Sequence, residues 1–349
     1  MIPAEQGEAP KVQFKKVQRR PVDVSALVEI APEQVGRSAL LAIRSRRGNL
    51  RLQDWAQANL PLIKKELLSY GALLFRNFGG VGVEGFEHFG RIVCSELFRD
   101  NGEHSRSSVA EGIYTPVFYA PEKKLLWHNE NSFNLEWPAK VMFVCITPAQ
   151  EGGETPIVDS RKVYDAIHPD VRREFIRKQV MYVRTYHQGL GLDWRTIFRT
   201  SSQNEVEESC RNAGMEYRWV SPGVLQTRCV RPSAVAHPDS GEMSWFNQAL
   251  HWHSSCLDPE VRKSLLAMFP DEALPRNCFF GDGSRIEDAV IDHLRDVYQG
   301  LESSFRWQRG DVMLLDNILV AHARNAFVGE RKLLVAMGEM MSYDRVQPC

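Results

Sequence analysis

The sequence predicts a β-rich α+β fold, a barrel or jelly roll with helices packed outside it. Short apolar runs of strand length recur along the chain, with amphipathic helical segments scattered among them. Regular βαβ alternation is absent, and so are GxGxxG and Walker loops. The 349 residues are 43% hydrophobic, enough for a sizeable core. That length allows two domains, but barrels and sandwiches often run longer as one unit.

Residues 1–10 are small, polar and Pro-containing, and 1–20 read as a mobile arm before a single domain over 21–349. Helical periodicity spans 54–69, with Leu60, Ile63, Leu67 and Leu68 on one face and Asp54 as a candidate cap. Ala72-Leu73-Leu74-Phe75 reads as a buried strand, and 83–94 as a helix despite Gly85 and Gly90. The pattern breaks over 96–125, a stretch long enough to predict a lid rather than a passive connection. An apolar strand follows at 141–146, a turn at 148–153 and a short strand at 155–158. A helical stretch covers 163–178, divided at Pro169. Further strands are expected at 180–184, 224–230, 244–247, 312–315 and 333–337, with outer helices at 259–269 and 286–301.

Charge excludes some functions. The 43 basic and 44 acidic residues give a net charge of −1, with no like-charge block suited to nucleic acid or an anionic membrane. The densest basic spot, Lys15-Lys16 and Arg19-Arg20, reads as a solvated arm. No apolar run reaches membrane-spanning length, and the first twenty residues lack the apolar core of a signal peptide. Cys94, Cys145, Cys210, Cys229, Cys256, Cys278 and Cys349 are odd in number and widely spaced, without a CxxC. They read as free thiols in a reducing cytoplasm, which would also help keep iron as Fe(II).

His128 and Glu130, in Trp127-His128-Asn129-Glu130, are the first candidate site residues. Spacing alone does not single them out, because about one HxE or HxD is expected by chance and the chain has three. The other two, His168/Asp170 and His237/Asp239, are His-Pro-Asp, where the Asp reads as a turn or helix cap. Residues i and i+2 of a strand share a face, so His128 and Glu130 can reach one ion. His322 ends an apolar run from Leu314, which reads as a buried strand delivering a polar group. Together the three resemble the 2-His-1-carboxylate set that holds non-haem Fe(II) with positions left open. Arg331, beside the apolar run 333–337, suits bidentate capture of a buried carboxylate. A rival cluster, His251, His253 and Cys256, lacks a second ligand pair for structural zinc. No GxSxG supports serine hydrolase chemistry.

These residues resemble the taurine dioxygenase (TauD/TfdA-like) family of Fe(II)/2-oxoglutarate-dependent dioxygenases. The resemblance runs from the Ala72 strand to the C-terminus. It is densest at Trp127–Glu130, at Gly152-Gly153-Glu154-Thr155 and from His322 through Arg331. It implies a double-stranded β-helix (jelly roll, clavaminate synthase-like) with outer helices and a lid insertion. It further implies His128, Glu130 and His322 as iron ligands, Thr155 and Arg331 as 2-oxoglutarate anchors, and Asn247 and Arg324 near the cosubstrate. Many family members carry Asp where this chain has Glu130, while related halogenases replace that carboxylate with a small residue, so Glu130 argues against halogenation.

A finer resemblance is to the SyrP-like (syringomycin-type) hydroxylases. It is carried by Trp127–Phe133, Pro148–Pro156, Gly281–Ser284 and Gly310–Asn317. It implies hydroxylation of an unactivated C–H of an amino acid or amino-acid-derived substrate in natural product biosynthesis. Fe(II), 2-oxoglutarate and O2 would be used, and succinate and CO2 released. Presentation on a peptidyl carrier protein stays open, as do the substrate's identity, the position and stereochemistry of attack, and the oligomeric state. Neither nucleic acid nor membrane is expected as a partner. The same iron site could instead end in desaturation, cyclisation or epimerisation. A non-catalytic β-fold binding protein or a structural zinc protein is the alternative of another class.

Overall fold

A computed structural model describes residues 27–35, 38–98, 108–191 and 193–348. The expected N-terminal arm lies outside them, as do His104 and Arg106 of the expected lid.

The framework is an eight-stranded sheet. In spatial order it runs Val28–Val35, Ser38–Ser45, Ala72–Arg76, Val312–Asp316, Glu136–Thr147, Lys332–Ser342, Ile113–Tyr114 and Ser108–Ala110. All pairs are antiparallel except Ser38–Ser45 with Ala72–Arg76. Its central strands are buried on both faces, which is why Ala72–Phe75 reads as an unbroken apolar run instead of an alternation. Leu73, Phe75, Met142, Val144, Val312 and Leu314 point toward helices Leu52–Ala58, Leu60–Tyr70 and Val83–Val93. Ala72, Leu74, Val141, Phe143, Met313 and Leu315 point inward.

A second layer holds the three-stranded sheet Leu125–His128, Val320–Arg324 and Ile157–Asp159. Val312–Asp316 and Val320–Arg324 are joined by a three-residue turn, so the chain crosses from one sheet to the other there. Asp316 Oδ1 accepts from the N–H groups of Ile318 and Leu319, closing the turn. The fold is strand-rich α+β, a double-stranded β-helix. A separate four-stranded sheet, Glu216–Ser221, Val224–Arg231, Val180–Tyr186 and Arg276–Phe280, packs beside it.

Several expectations need correction. The helix expected over 54–69 is two helices broken at Asn59, where Pro61 starts the second. Asp54 lies within the first turn and is not the cap. The apolar run 314–322 is two strands in different sheets, and His322 sits mid-strand, not at a strand end. Residues 108–114, assigned to the lid, pair with each other and with Lys332–Ser342 as the edge of the large sheet. In both His-Pro-Asp sequences the cap is the histidine. His168 Nδ1 accepts from Asp170 N–H, and His237 Nδ1 from Asp239 and Ser240 N–H. Among the described residues no helix is long and apolar enough to cross a membrane. Six cysteines are free thiols, and Cys349 lies outside the described residues.

Candidate active site

His128 and His322 face each other across neighbouring strands, in direct register, with ring centres 4.4 Å apart. Cross-strand partners point to the same face, so pairing alone brings together residues 194 positions apart in sequence. Glu130 completes the group: its Oε2 lies 3.9 Å from each histidine's Nε2. Ligand atoms of the three lie within 4.8 Å of one another, and all three side chains are buried. The strand containing His128 ends there, however. Glu130 stands in the following turn, beside Asn131 at φ 57°, so the shared-face argument from spacing does not describe how it is aimed.

What aims it is a network of buried amides. Glu130 N–H donates to Asn317 Oδ1 at 2.7 Å, and Asn317 Nδ2 donates to the Glu130 and Pro138 carbonyls. Asn129 Nδ2 donates to the Asn317 carbonyl, and Gln248 Nε2 to that of Asn129. His237 supports the same turn. Its Nδ1 accepts backbone N–H groups, so its Nε2 carries the proton donated to Asp316 Oδ2 at 3.1 Å. The polar pair Asp316-Asn317, interrupting an apolar run, was the available sequence signal for this support.

The donor set fits a transition metal. His128 Nδ1 donates to the Leu126 carbonyl at 2.8 Å, which fixes the tautomer and leaves the Nε2 lone pair facing Glu130 and His322. Two imidazoles and one carboxylate on one side of a buried site can hold Fe(II) and leave its other side for exogenous ligands. Phe143, from the inner face of the large sheet, packs edge-on against His322 at 5.4 Å and keeps that wall apolar.

Thr155 is buried, and its Oγ1 accepts from the Trp307 indole at 3.1 Å. The Arg331 Nε donates to the Gly153 carbonyl at 2.9 Å, and its guanidinium forms no ion pair among the described residues. Burial, then the nearby Arg324, pushes its pKa down to about 10, so it is a desolvated cation at neutral pH. Gly153 makes room for it. Its φ is +73°, and a Cβ there would stand 2.9 Å from Arg331 Cδ.

Two expected cosubstrate residues are otherwise engaged. Asn247 Nδ2 donates to the Ser233 carbonyl and its Oδ1 accepts from Ala249 N–H, so both ends shape the chain path. Arg324 donates to the carbonyls of Tyr119, Ala120 and Lys123, binding the segment before the His128 strand to the His322 strand. The zinc cluster does not assemble. His253 uses both ring nitrogens, on Ser255 and Ile286, and Cys256 accepts from Arg295. His251 lies against His128 with ring centres 5.1 Å apart. Among the described residues the metal-capable cluster is His128, Glu130 and His322.

Residues 35–337 match the family model of the taurine catabolism dioxygenase TauD, TfdA family. The chain belongs to that family. It is an Fe(II)/2-oxoglutarate-dependent dioxygenase, using O2. Among curated relatives, dapdiamide synthesis protein DdaC of Enterobacter agglomerans is 37% identical over 274 residues, covering 78% of this chain and 83% of DdaC. A clavaminate synthase-like protein of Arabidopsis thaliana is 28% identical, covering 76% and 81%. The TauD-like fold recurs in PvcB of Pseudomonas aeruginosa, at TM-score 0.55 and 12% identity, covering 97% of this chain and 98% of PvcB. PvcB is an Fe, alpha-ketoglutarate dependent oxygenase from an isonitrile synthetic pathway.

Proposed function

We propose that this dioxygenase oxidises an unactivated C–H bond of an amino acid or amino-acid-derived substrate in natural product biosynthesis, with hydroxylation as the outcome. His128, Glu130 and His322 hold the iron. Arg331 binds the far carboxylate of 2-oxoglutarate, with Thr155 beside it. The observation that carries this reading is the buried His-Glu-His cluster together with a half-buried guanidinium that has no carboxylate partner among the described residues. A desolvated arginine with one hydrogen bond to a carbonyl is suited to an incoming carboxylate, which it can bind bidentately. The biosynthetic setting is supported by DdaC, a relative named for dapdiamide synthesis.

Fe(II) and 2-oxoglutarate, when bound, would activate O2: one oxygen atom would go into succinate as 2-oxoglutarate loses CO2, and the other would oxidise the substrate. The chain's part is placement and exclusion of water. The Leu126 carbonyl holds the His128 tautomer, and Asn317 holds the Glu130 backbone. Phe143 and Trp307 close the wall, and Arg324 ties down the segment 119–123. That segment, with residues 115–118, acts as the lid. Glu130 fills the carboxylate position, so no vacancy for a halide ligand exists there.

Succinate release should be screened over free and carrier-bound amino acids, with mass analysis of the products. A gain of one oxygen supports hydroxylation; loss of two hydrogens marks desaturation or cyclisation. Failure of every such substrate to stimulate 2-oxoglutarate consumption contradicts the substrate class.

A further inference from the structure

We propose that Arg184 and Arg276 form a recognition site for a carboxylate of the organic substrate at the rim of the iron site. This deepens the proposed function and rests on it. Arg184 and Arg276 are direct cross-strand partners in the four-stranded sheet, so both side chains leave the same face. Like charges directly opposite repel. Arg276 forms neither an ion pair nor a side-chain hydrogen bond among the described residues. Burial, and then Arg184, pushes its pKa down to about 10, and it remains charged at neutral pH. A sheet that sets two guanidinium groups opposite each other, one with no anion among the described residues, is arranged for an anion from outside.

The surroundings connect this pair to the iron site. Both guanidinium groups lie over the Trp252 ring, Arg184 at 4.9 Å and Arg276 at 5.9 Å, and Arg184 is 5.8 Å from the Phe133 ring. Trp252 follows His251, which packs on His128. Phe133 stands three residues after Glu130 and touches Trp252 at 4.9 Å. Tyr119, in the segment tethered by Arg324, also acts electrostatically on Arg276. A cavity of about 330 Å3 opens here, lined in part by Phe133, Asn134, Arg184 and Trp252, and is of a size for an amino-acid substrate. Arg184 lines this cavity, and Arg276, its cross-strand partner, lies over the same Trp252 ring. A carboxylate satisfies two guanidinium forks; the isosteric carboxamide presents donors to donors and is rejected.

The carboxylate has two sources. A free amino acid offers its α-carboxylate. A carrier-bound residue has that group in the thioester and must offer an acidic side chain.

The test uses the full chain with Mn(II) and isosteric acid/amide pairs: free asparagine and glutamine against their α-carboxamides for the first source, and the aspartate/asparagine and glutamate/glutamine pantetheine thioesters for the second. The thermal shift of the wild type should be larger for the acids, and the acid should bind about 10- to 100-fold more tightly than its amide. Arg184→Gln and Arg276→Gln should each remove most of that preference. A preference confined to the thioesters assigns the side-chain source, and one confined to the free pairs assigns the α-carboxylate. Arg276→Gln should not lower the melting temperature without ligand, because it relieves repulsion. Equal binding of acids and amides, or a preference surviving both substitutions, overturns the proposal. So does a marked loss of stability in Arg276→Gln, the mark of a structural prop. The stabilisation by 2-oxoglutarate must persist in Arg276→Gln and disappear in Arg331→Ala. Its absence in the wild type would be a failure of the cosubstrate reading, not of this one.

Discussion

Asn317 grips the backbone of Glu130 from both sides, accepting from its N–H at 2.7 Å and donating to its carbonyl at 2.9 Å. The carboxylate is thereby positioned from a residue in the turn between the two sheets. Asn317→Ala leaves three buried backbone groups without partners, on Glu130 and Pro138, and should destabilise the chain by about 2–4 kcal/mol. Metal affinity should fall by about 10- to 100-fold, as for other residues that orient ligands. Mn(II) titration and thermal unfolding together check this; unchanged metal affinity in a folded variant contradicts the positioning role.

Arg331→Ala should raise the 2-oxoglutarate requirement by about 10- to 100-fold, the equivalent of a charged hydrogen bond. Metal binding should change little. Gly153→Ala should act in the same direction, since its Cβ would displace Arg331 and strain a backbone at φ +73°. The measurement is the concentration dependence of succinate release.

The pH dependence of 2-oxoglutarate binding follows from the same arginine. Its pKa in the unliganded protein is about 10, lowered first by burial. The charged form binds the carboxylate, so affinity should be flat between neutrality and about pH 9 and fall as the pH rises through 10. Arg331→Lys should retain a charge but lose the bidentate contact, weakening binding across the whole range. Calorimetric titration across pH in the metal-loaded protein checks both; affinity that rises above pH 10 contradicts the assignment.

Arg324→Ala should release the carbonyls of Tyr119, Ala120 and Lys123 and loosen the lid. Hydrogen exchange over 115–124 should speed up, and 2-oxoglutarate should be consumed with less matching product. Normal coupling in this variant would move the lid function elsewhere.

Much of this was legible in the sequence, for physical reasons. Strands buried on both faces announce themselves as apolar runs, and 72–75, 141–146, 312–315 and 333–337 all lie within strands of the large sheet. The three metal-capable residues were legible because the ligand chemistry admits few residue types. Sheet-to-sheet crossing was not. Residues 314–322 are apolar on either side of Asp316-Asn317, and hydrophobicity does not record that the chain changes layer there. Strand pairing at the edge, as in 108–114, depends on a partner distant in sequence. The hydrogen-bonding commitments of Asn247 and Arg324 depend on backbone groups, which no side-chain pattern reveals.

The central claim is that His128, Glu130 and His322 form one metal site that 2-oxoglutarate joins. Anaerobic calorimetry of the wild type and His322→Ala tests it most directly, with Fe(II) first and 2-oxoglutarate second. The wild type should bind one iron per chain, and 2-oxoglutarate tightly only after the metal. His322→Ala should keep the circular dichroism spectrum of the wild type and lose both signals. Full iron binding by folded His322→Ala, or 2-oxoglutarate binding indifferent to metal, would contradict the account.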